Sequence, residues 1–249
     1  MADPYRLTIT PPTLSGIPSD ETLLNAGREL IESTKSWKQG KTYDKGRVKT
    51  FSRPKGPEDG AAWHLRLSVH GPEDATFDEF WSKLGVDKAE NEKSFIPDIH
   101  KVTLVKRISP TQVLWTIQYV FPPPVSPRIF TVLQTTHLDT TSAARAGYVI
   151  SIPVDLTSDP ADSEFAKLEE KGVKGRYVSV ERILELEGGK VEWRMATSSS
   201  PGGNIPQFVA EMTMASKISE DVPHFIKWFH TVRSQPNAEQ VGEAAANTA

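Results

Sequence analysis

Apolar positions recur along this chain with two different periods, and the places where the period changes outline its elements. Residues 1–18 are rich in Pro and Thr, show little periodicity, and read as an extended surface segment. "SDETLLNAGRELIESTKSW" then reads as a helix: Ser19 caps it, Asp20 and Glu21 occupy its first turn, and Leu23, Leu30, Thr34 and Trp37 share one face. Two strands follow, "GRVKTFSRP" and "AAWHLRLSVHG". In the second, Trp63, Leu65, Leu67 and Val69 alternate with His64, Arg66, Ser68 and His70, which predicts an apolar odd face. "TFDEFWSKLG" opens on a capping-box pattern, Thr76 with Glu79.

Four strands come next, over roughly 100–109, 111–121, 129–139 and 147–155; in the second, Val113, Trp115, Ile117, Tyr119 and Phe121 point one way. A short acidic helix is expected from Pro160 to Gly172. Strands over 174–186 and 190–198 form a hairpin through Gly188-Gly189, with Val191, Trp193 and Met195 on one face of the latter. An apolar helix from Ile205 to about Arg233 closes the fold, and Pro223 is expected to kink or split it after Asp221. The small, polar tail 234–249 is expected to be disordered.

The short strand connections predict a mainly antiparallel sheet. The reading is α+β, with an extended segment 1–18, one domain over 19–233, and the tail 234–249. The last helix is the element long and apolar enough to cover the concave face of the sheet.

Composition narrows the function. The chain of 249 residues has no cysteine, which excludes disulfides, thiolate catalysis and zinc–thiolate sites. The start "MADPYRLTITPP" lacks the basic and apolar regions of a secretory signal, no stretch suits a transmembrane helix, and a cytoplasmic location is expected. Between Lys35 and Lys55 lie eight Lys or Arg and one acid, Asp44. This stretch reads either as an edge strand protected by lysine or as a patch for transient contact with an anionic membrane surface. It lacks the interleaved aromatics of a stacking platform, so no nucleic acid partner is expected.

Two stretches carry a family resemblance. "FPPPVSPRIF" (Phe121 to Phe130) resembles the Pro-rich loop of START-type (StAR-related) lipid-transfer domains, with Arg128 and Phe130 matching and Ile129 replacing the usual Asp. "SSSPGGNIPQFVAE" resembles that family's approach to its last helix, with Gly203, Ile205 and Pro206 matching and a serine near Ser199 replacing an Asp. The pattern is closest to a START-like family of unassigned function found in fungi, over roughly residues 20–233.

The resemblance implies a helix-grip fold, a curved antiparallel β-sheet wrapped around a long C-terminal helix. It also implies a deep pocket between sheet and helix for one hydrophobic small molecule, such as a sterol, phospholipid or other lipid, gated by the Pro-rich loop and the helix. On the sheet side the implied ligand contacts are Trp115, Tyr119, Arg128, Phe130, Tyr177, Trp193 and Met195. On the helix side they are Ile205, Phe208, Val209 and Met212, with Met212 and Met214 as adaptable surface and Gly202-Gly203 as a hinge. Arg128 reads as either a surface residue or the partner of a buried carboxylate. Arg176 and Glu181 have opposite strand parity, so one of them faces inward.

No cofactor, metal site or catalytic set is read from the sequence. The histidines form no zinc motif; His64 and His70 sit roughly 20 Å apart at ~3.3 Å per residue. No Gly-x-Ser-x-Gly elbow or glycine-rich phosphate loop is present. A carrier of one apolar ligand is the leading reading. Its alternatives are an enzyme of the same fold, cyclase or hydrolase-like, using general acid–base catalysis by a group such as Glu181 or Tyr177, and a scaffold with a peptide groove. The apolar stripe of the last helix also reads simply as core, and "PPPVSPR" as a weak proline-rich docking motif.

Overall fold

Helix α1 (Asp20–Ser33) begins where its cap predicts, with the Ser19 hydroxyl accepting from the Thr22 amide at 3.3 Å. The computed structural model describes residues 5–233; the tail 234–249 lies outside the described residues. After α1 come strands β1 (Lys38–Tyr43), β2 (Val48–Arg53) and β3 (Trp63–His70), then helices α2 (Phe77–Leu84) and α3 (Lys88–Phe95). Strands β4 (Ile99–Arg107), β5 (Gln112–Tyr119), β6 (Arg128–Asp139) and β7 (Ala146–Pro153) follow. The short helix α4 (Ser163–Ala166) and the two-residue β8 (Val173–Lys174) lead to β9 (Arg176–Glu185), β10 (Val191–Ser200) and α5 (Gln207–Arg233).

The strands form one curved sheet in the order β1-β2-β3-β10-β9-β7-β6-β5-β4, antiparallel throughout, with β8 added in parallel to β6. This is the expected helix-grip architecture. The lysine-rich stretch forms the edge strand β1, whose residues Lys38–Thr42 are exposed. Charged side chains there oppose edge-to-edge pairing with another chain.

Both faces of the sheet are covered. Against one, α1 packs Leu23, Leu24, Ala26 and Ile31 over Ile150, Ile152, Val178 and Val180. Against the other lie α2, α3 and the second half of α5, with Phe77, Phe80, Val222, Phe225 and Phe229 around Trp193 and Ile183. Two-sided burial corrects the face expected for β3. Trp63 and Leu65 are buried toward α1, but Arg66, Ser68 and His70 are buried on the opposite face while Val69 is exposed. Simple alternation of apolar and polar positions marks a strand with one wet face, and β3 has none over most of its length.

Other departures have local causes. Leu7 and Ile9 are buried in the α1-side core, so the first segment does not simply lie on the surface. The acidic helix after Pro160 ends at Ala166, well before Gly172. Helix α3 has almost no apolar periodicity and was not anticipated; Ala89 and Phe95 hold it down. Helix α5 runs unbroken through Pro223. Proline removes one backbone hydrogen bond, and the aromatic contacts just after it offset that loss: Phe225 lies within 5.2 Å of Phe80, 5.4 Å of Phe95 and 5.3 Å of Trp193, centroid to centroid.

Helix α5 therefore has two unlike halves. Its buried positions run from Ile218 to Phe229, while Phe208 and Met212 in its first half are 64% and 80% exposed. Phe225→Ala should cost about 3–5 kcal/mol of stability, whereas Phe208→Ala should cost less than about 0.5 kcal/mol. Urea unfolding followed by tryptophan fluorescence compares the two; equal losses would mean that both halves of the helix are equally packed.

Candidate functional site

Under the first half of α5 the sheet and helix do not meet, and a cavity of about 660 Å³ remains. Close packing leaves few voids larger than a water molecule in a protein interior, so this volume is a specific feature of the fold. One wall is aromatic. Tyr119 meets Phe130 edge-on at 5.3 Å and lies parallel to Phe121 at 6.2 Å, and Phe130 meets Tyr177 at 5.4 Å. Met195 lines the sheet side, and Ile205, Val209, Ala210 and Met214 line the roof.

The mouth is held by backbone contacts. Arg128 is buried at 4% exposure. Its Nε donates to the Pro201 carbonyl at 3.1 Å and its Nη1 donates to the Ser126 carbonyl. Its guanidinium thus joins the Pro-rich loop to the approach of α5, and its hydrogen bonds go to carbonyls rather than to a carboxylate. Gly202, at φ 64°, passes so close to β8 that a Cβ would stand 2.1 Å from the Lys174 carbonyl oxygen. Only glycine fits both that backbone conformation and that approach.

The far end of the cavity is charged. Lys88 on α3 donates to Glu181 on β9 at 2.9 Å and to Glu92 one turn further along α3. Glu181 also accepts from the Trp193 indole at 2.8 Å and lies 3.6 Å from Arg66. Arg66, 2% exposed, stacks 3.9 Å above the Trp193 ring and reaches Asp221 on α5 at 3.8 Å. Its Nε and Nη1 have no hydrogen-bond partner. Glu181 therefore faces inward, as parity allowed for one of the pair, and Arg176 is exposed.

Burial and charge set the protonation of this group. Burial raises the Glu181 carboxyl, but Lys88 and Arg66 outweigh it, so it stays below its ordinary value. Burial also opposes the Lys88 ammonium, yet Glu181 and Glu92 raise it well above the ordinary lysine range. Glu92 is raised, because burial and repulsion from Glu181 exceed the pull of Lys88. Asp221 is pushed up to about 7 by burial, against the pull of Arg66 and with repulsion from Glu92 and Glu181 added. Burial raises the Tyr119 and Tyr177 phenols, which keeps them neutral donors.

Of the residues singled out from the sequence, the cavity brings together Tyr119, Arg128, Phe130, Tyr177, Met195, Ile205 and Val209. It leaves out four. Trp115 is packed in a small core beneath α3 with Ala89, Ile99 and Ile117. Trp193 is buried among Phe80 and Phe225 and holds Glu181 from behind. Phe208 and Met212 are exposed, because helical rotation places them outside the inward stripe of Val209, Thr213 and Met214. Lys88, Glu92 and Asp221 line the cavity without having been foreseen. The Lys88–Glu92 spacing of four residues was a usable helical signal, but nothing in the sequence placed it opposite Glu181.

A second polar set has the order of a hydrolytic triad without its access. The His70 ring lies 2.8 Å from the Ser68 hydroxyl and 3.0 Å from the Asp74 carboxylate. Ser68 and His70 are buried outside the cavity, and burial lowers the His70 pKa. The set ties β3 to the turn that carries Asp74. Among the described residues no group of three His, Cys, Asp or Glu is arranged to hold a metal ion, and no helix is long and apolar enough to cross a membrane.

Solved structures of the same architecture are numerous. Human StAR-related lipid transfer protein 5 superposes with a TM-score of 0.69 at 14% identity, over 86% of this chain and 96% of that one. Human STARD10 gives 0.65 at 12% identity, over 86% and 80%. A STAR-related lipid transfer protein of Xanthomonas axonopodis gives 0.60 at 17% identity, over 78% and 98%. At such identities the likeness is one of fold, and the fold is that of START domains. No curated protein sequence matches. The model of a family described as a protein of unknown function, DUF3074, matches residues 63–229, more than half of the chain, and the chain belongs to that family.

Proposed function

We propose that this protein binds one hydrophobic molecule in the cavity and carries it between membranes through the cytoplasm, residues 19–233 acting as one START-like domain. The observation that carries this reading is the unfilled volume of about 660 Å³ between an aromatic wall and the first half of α5. It lies within the range of small-molecule sites, about 300–1,000 Å³. Each buried CH₂ of a ligand contributes about 0.8 kcal/mol, so a sterol, phospholipid or other lipid would bind with few polar contacts. The lipid-transfer names of the fold's relatives agree with this reading.

On this reading, exchange with a membrane takes place at the mouth. Phe208 and Met212 are one helical turn apart and exposed beside the roof. The one charged side chain of these turns, Glu211, is turned inward, accepting from the Ala62 amide at 3.2 Å and from Gln207 at 3.1 Å. This outward surface is apolar and suits insertion among headgroups of any charge. The basic edge near Tyr43 packs by the buried half of α5. At 1.5 Å rise per residue, Phe225 lies about 25 Å along the helix from Phe208. The lysines of residues 35–55 would add attraction to an anionic surface at that end.

A second reading, an enzyme of the same fold, is favoured by Asp221. A carboxyl pushed up to about 7 near Tyr119 can give or take a proton at neutral pH. Extraction separates the two: a carrier returns the molecule it was given, and an enzyme returns a changed one.

Native mass spectrometry after incubation with mixed lipids should show one bound molecule of several hundred daltons, about one per chain. Ala210→Trp, which places an indole in the roof, should abolish uptake with the fold retained; normal uptake would count against this cavity. Phe208→Ser with Met212→Ser should slow transfer roughly tenfold from neutral and anionic vesicles alike, leaving equilibrium binding unchanged. Slowing confined to anionic vesicles would move the contact to the lysine edge.

The raised carboxyl of Asp221 binds its proton more tightly in the folded than in the unfolded chain. Its contribution to stability is present below about pH 4 and lost as pH rises through about 7. Asp221→Asn should therefore gain roughly 2–4 kcal/mol on the wild type between about pH 4 and 8, read from urea midpoints across that range. A constant difference would mean that Asp221 ionises normally.

A further inference from the structure

The charged end of the cavity is unbalanced in a way that bears on what it accepts. Every cation that lines it is already engaged. Lys88 is held by Glu92 and Glu181. Lys217 lies 3.3 Å from Glu220 and 3.8 Å from Asp98. Arg128 donates to two backbone carbonyls. Behind the lining, Arg66 is shared between Glu181 and Asp221. The acids are in surplus: Glu92, Glu181 and Asp221 converge on Lys88 and Arg66.

Asp221 is the member left open. Among the described residues its one ion pair is with Arg66 at 3.8 Å, and its side chain keeps 23% exposure while lining the cavity. Around it stand Glu92 and Lys88 from α3, Tyr119 from β5, Glu181 from β9, Arg66 from β3, and His224 one turn along α5, with Tyr177 of β9 on the same lining. A phosphate or carboxylate entering here would face the surplus negative charge of Glu92, Glu181 and Asp221 in a poorly hydrated space, which is strongly unfavourable; the Arg66 donors without a hydrogen-bond partner lie behind the lining, and Arg128 stands at the mouth. A protonated amine would donate hydrogen bonds to the Asp221 carboxylate and supply the missing positive charge. A hydroxyl would do the first and not the second.

From this geometry we infer that the cavity selects amphiphiles whose polar end is a protonated amine received by Asp221, and discriminates against those ending in phosphate or carboxylate. The inference rests on the carrier reading above and adds the chemistry of the head to it. The raised pKa of Asp221 agrees with it, because burial and the neighbouring carboxylates favour a proton there.

The test uses the full chain and three probes that differ only at the head: hexadecylamine, hexadecanol and hexadecanoic acid. Each is offered in neutral vesicles at about pH 8, where the amine is protonated and the acid ionised, in competition with a fluorescent apolar probe. The amine should displace the probe at a concentration at least about tenfold below that of the acid, with the alcohol between them. Asp221→Asn should bring amine and alcohol to within about threefold, because it weakens the amine far more than the alcohol. Should Asp221→Asn fail to fold, Glu92→Gln serves as a second variant: it removes one of the three surplus acids and should narrow the amine's lead over the acid, and an unchanged lead overturns the charge-surplus argument. Equal binding of all three, or preference for the acid, overturns the head-group assignment and leaves the carrier reading standing. An amine preference that survives Asp221→Asn overturns the role of Asp221. Entry of none of the probes, and none of the mixed lipids, overturns both.

Discussion

The buried carboxylate of Glu181 is the contact on which the arrangement around the cavity depends. It receives the Lys88 ammonium from α3, the Trp193 indole from the neighbouring strand and the charge of Arg66 from the strand beyond. A carboxylate taken out of water is tolerated only when its charge and lone pairs are met. Here the partners come from three separate elements, so one residue fixes their relative positions. Removing it would leave Lys88 and Arg66 facing each other across a poorly hydrated space, a loss far larger than that of a surface ion pair. The same network gives the cavity a polar end, which an all-apolar core could not provide.

The grip helix shows how one element meets two demands. Its second half is anchored by Val222, Phe225, Ile226 and Phe229 in a core shared with α2 and α3. Its first half spans open volume and is joined to the body mainly at its approach, through Arg128, Gln207 and Glu211. A helix held firmly at one end and lightly at the other is suited to opening at the light end, since local opening occurs where few apolar contacts must be broken. Gly202 and Gly203, both at positive φ, stand just before that lightly held end.

Much of the fold was legible because the local signals were strong. The Ser19 cap, the Thr76–Glu79 box, the Gly188-Gly189 turn and the apolar length of the last helix each depend on residues close in sequence. They placed most elements within a few residues of where they stand. Period-two patterning failed at β3, where both faces are covered and burial no longer follows hydrophobicity. Helical periodicity failed at α3, whose run "KAENEKSF" is almost wholly polar yet is held down by Ala89 and Phe95.

The sequence by itself determined the architecture: antiparallel strands with short connections, a final apolar helix to cover them, and a lysine-protected edge. The family resemblance of two stretches also implied part of the lining, and Tyr119, Phe130, Tyr177 and Val209 stand at the cavity. The tertiary structure alone decided which apolar residues line empty space and which fill a core, as Trp115 and Trp193 show, since that depends on what another element places opposite them. It alone assembled Lys88, Glu92, Arg66, Glu181 and Asp221. Those residues come from two helices and two strands widely separated in the chain, and charges so far apart in sequence carry no periodicity that would announce their meeting.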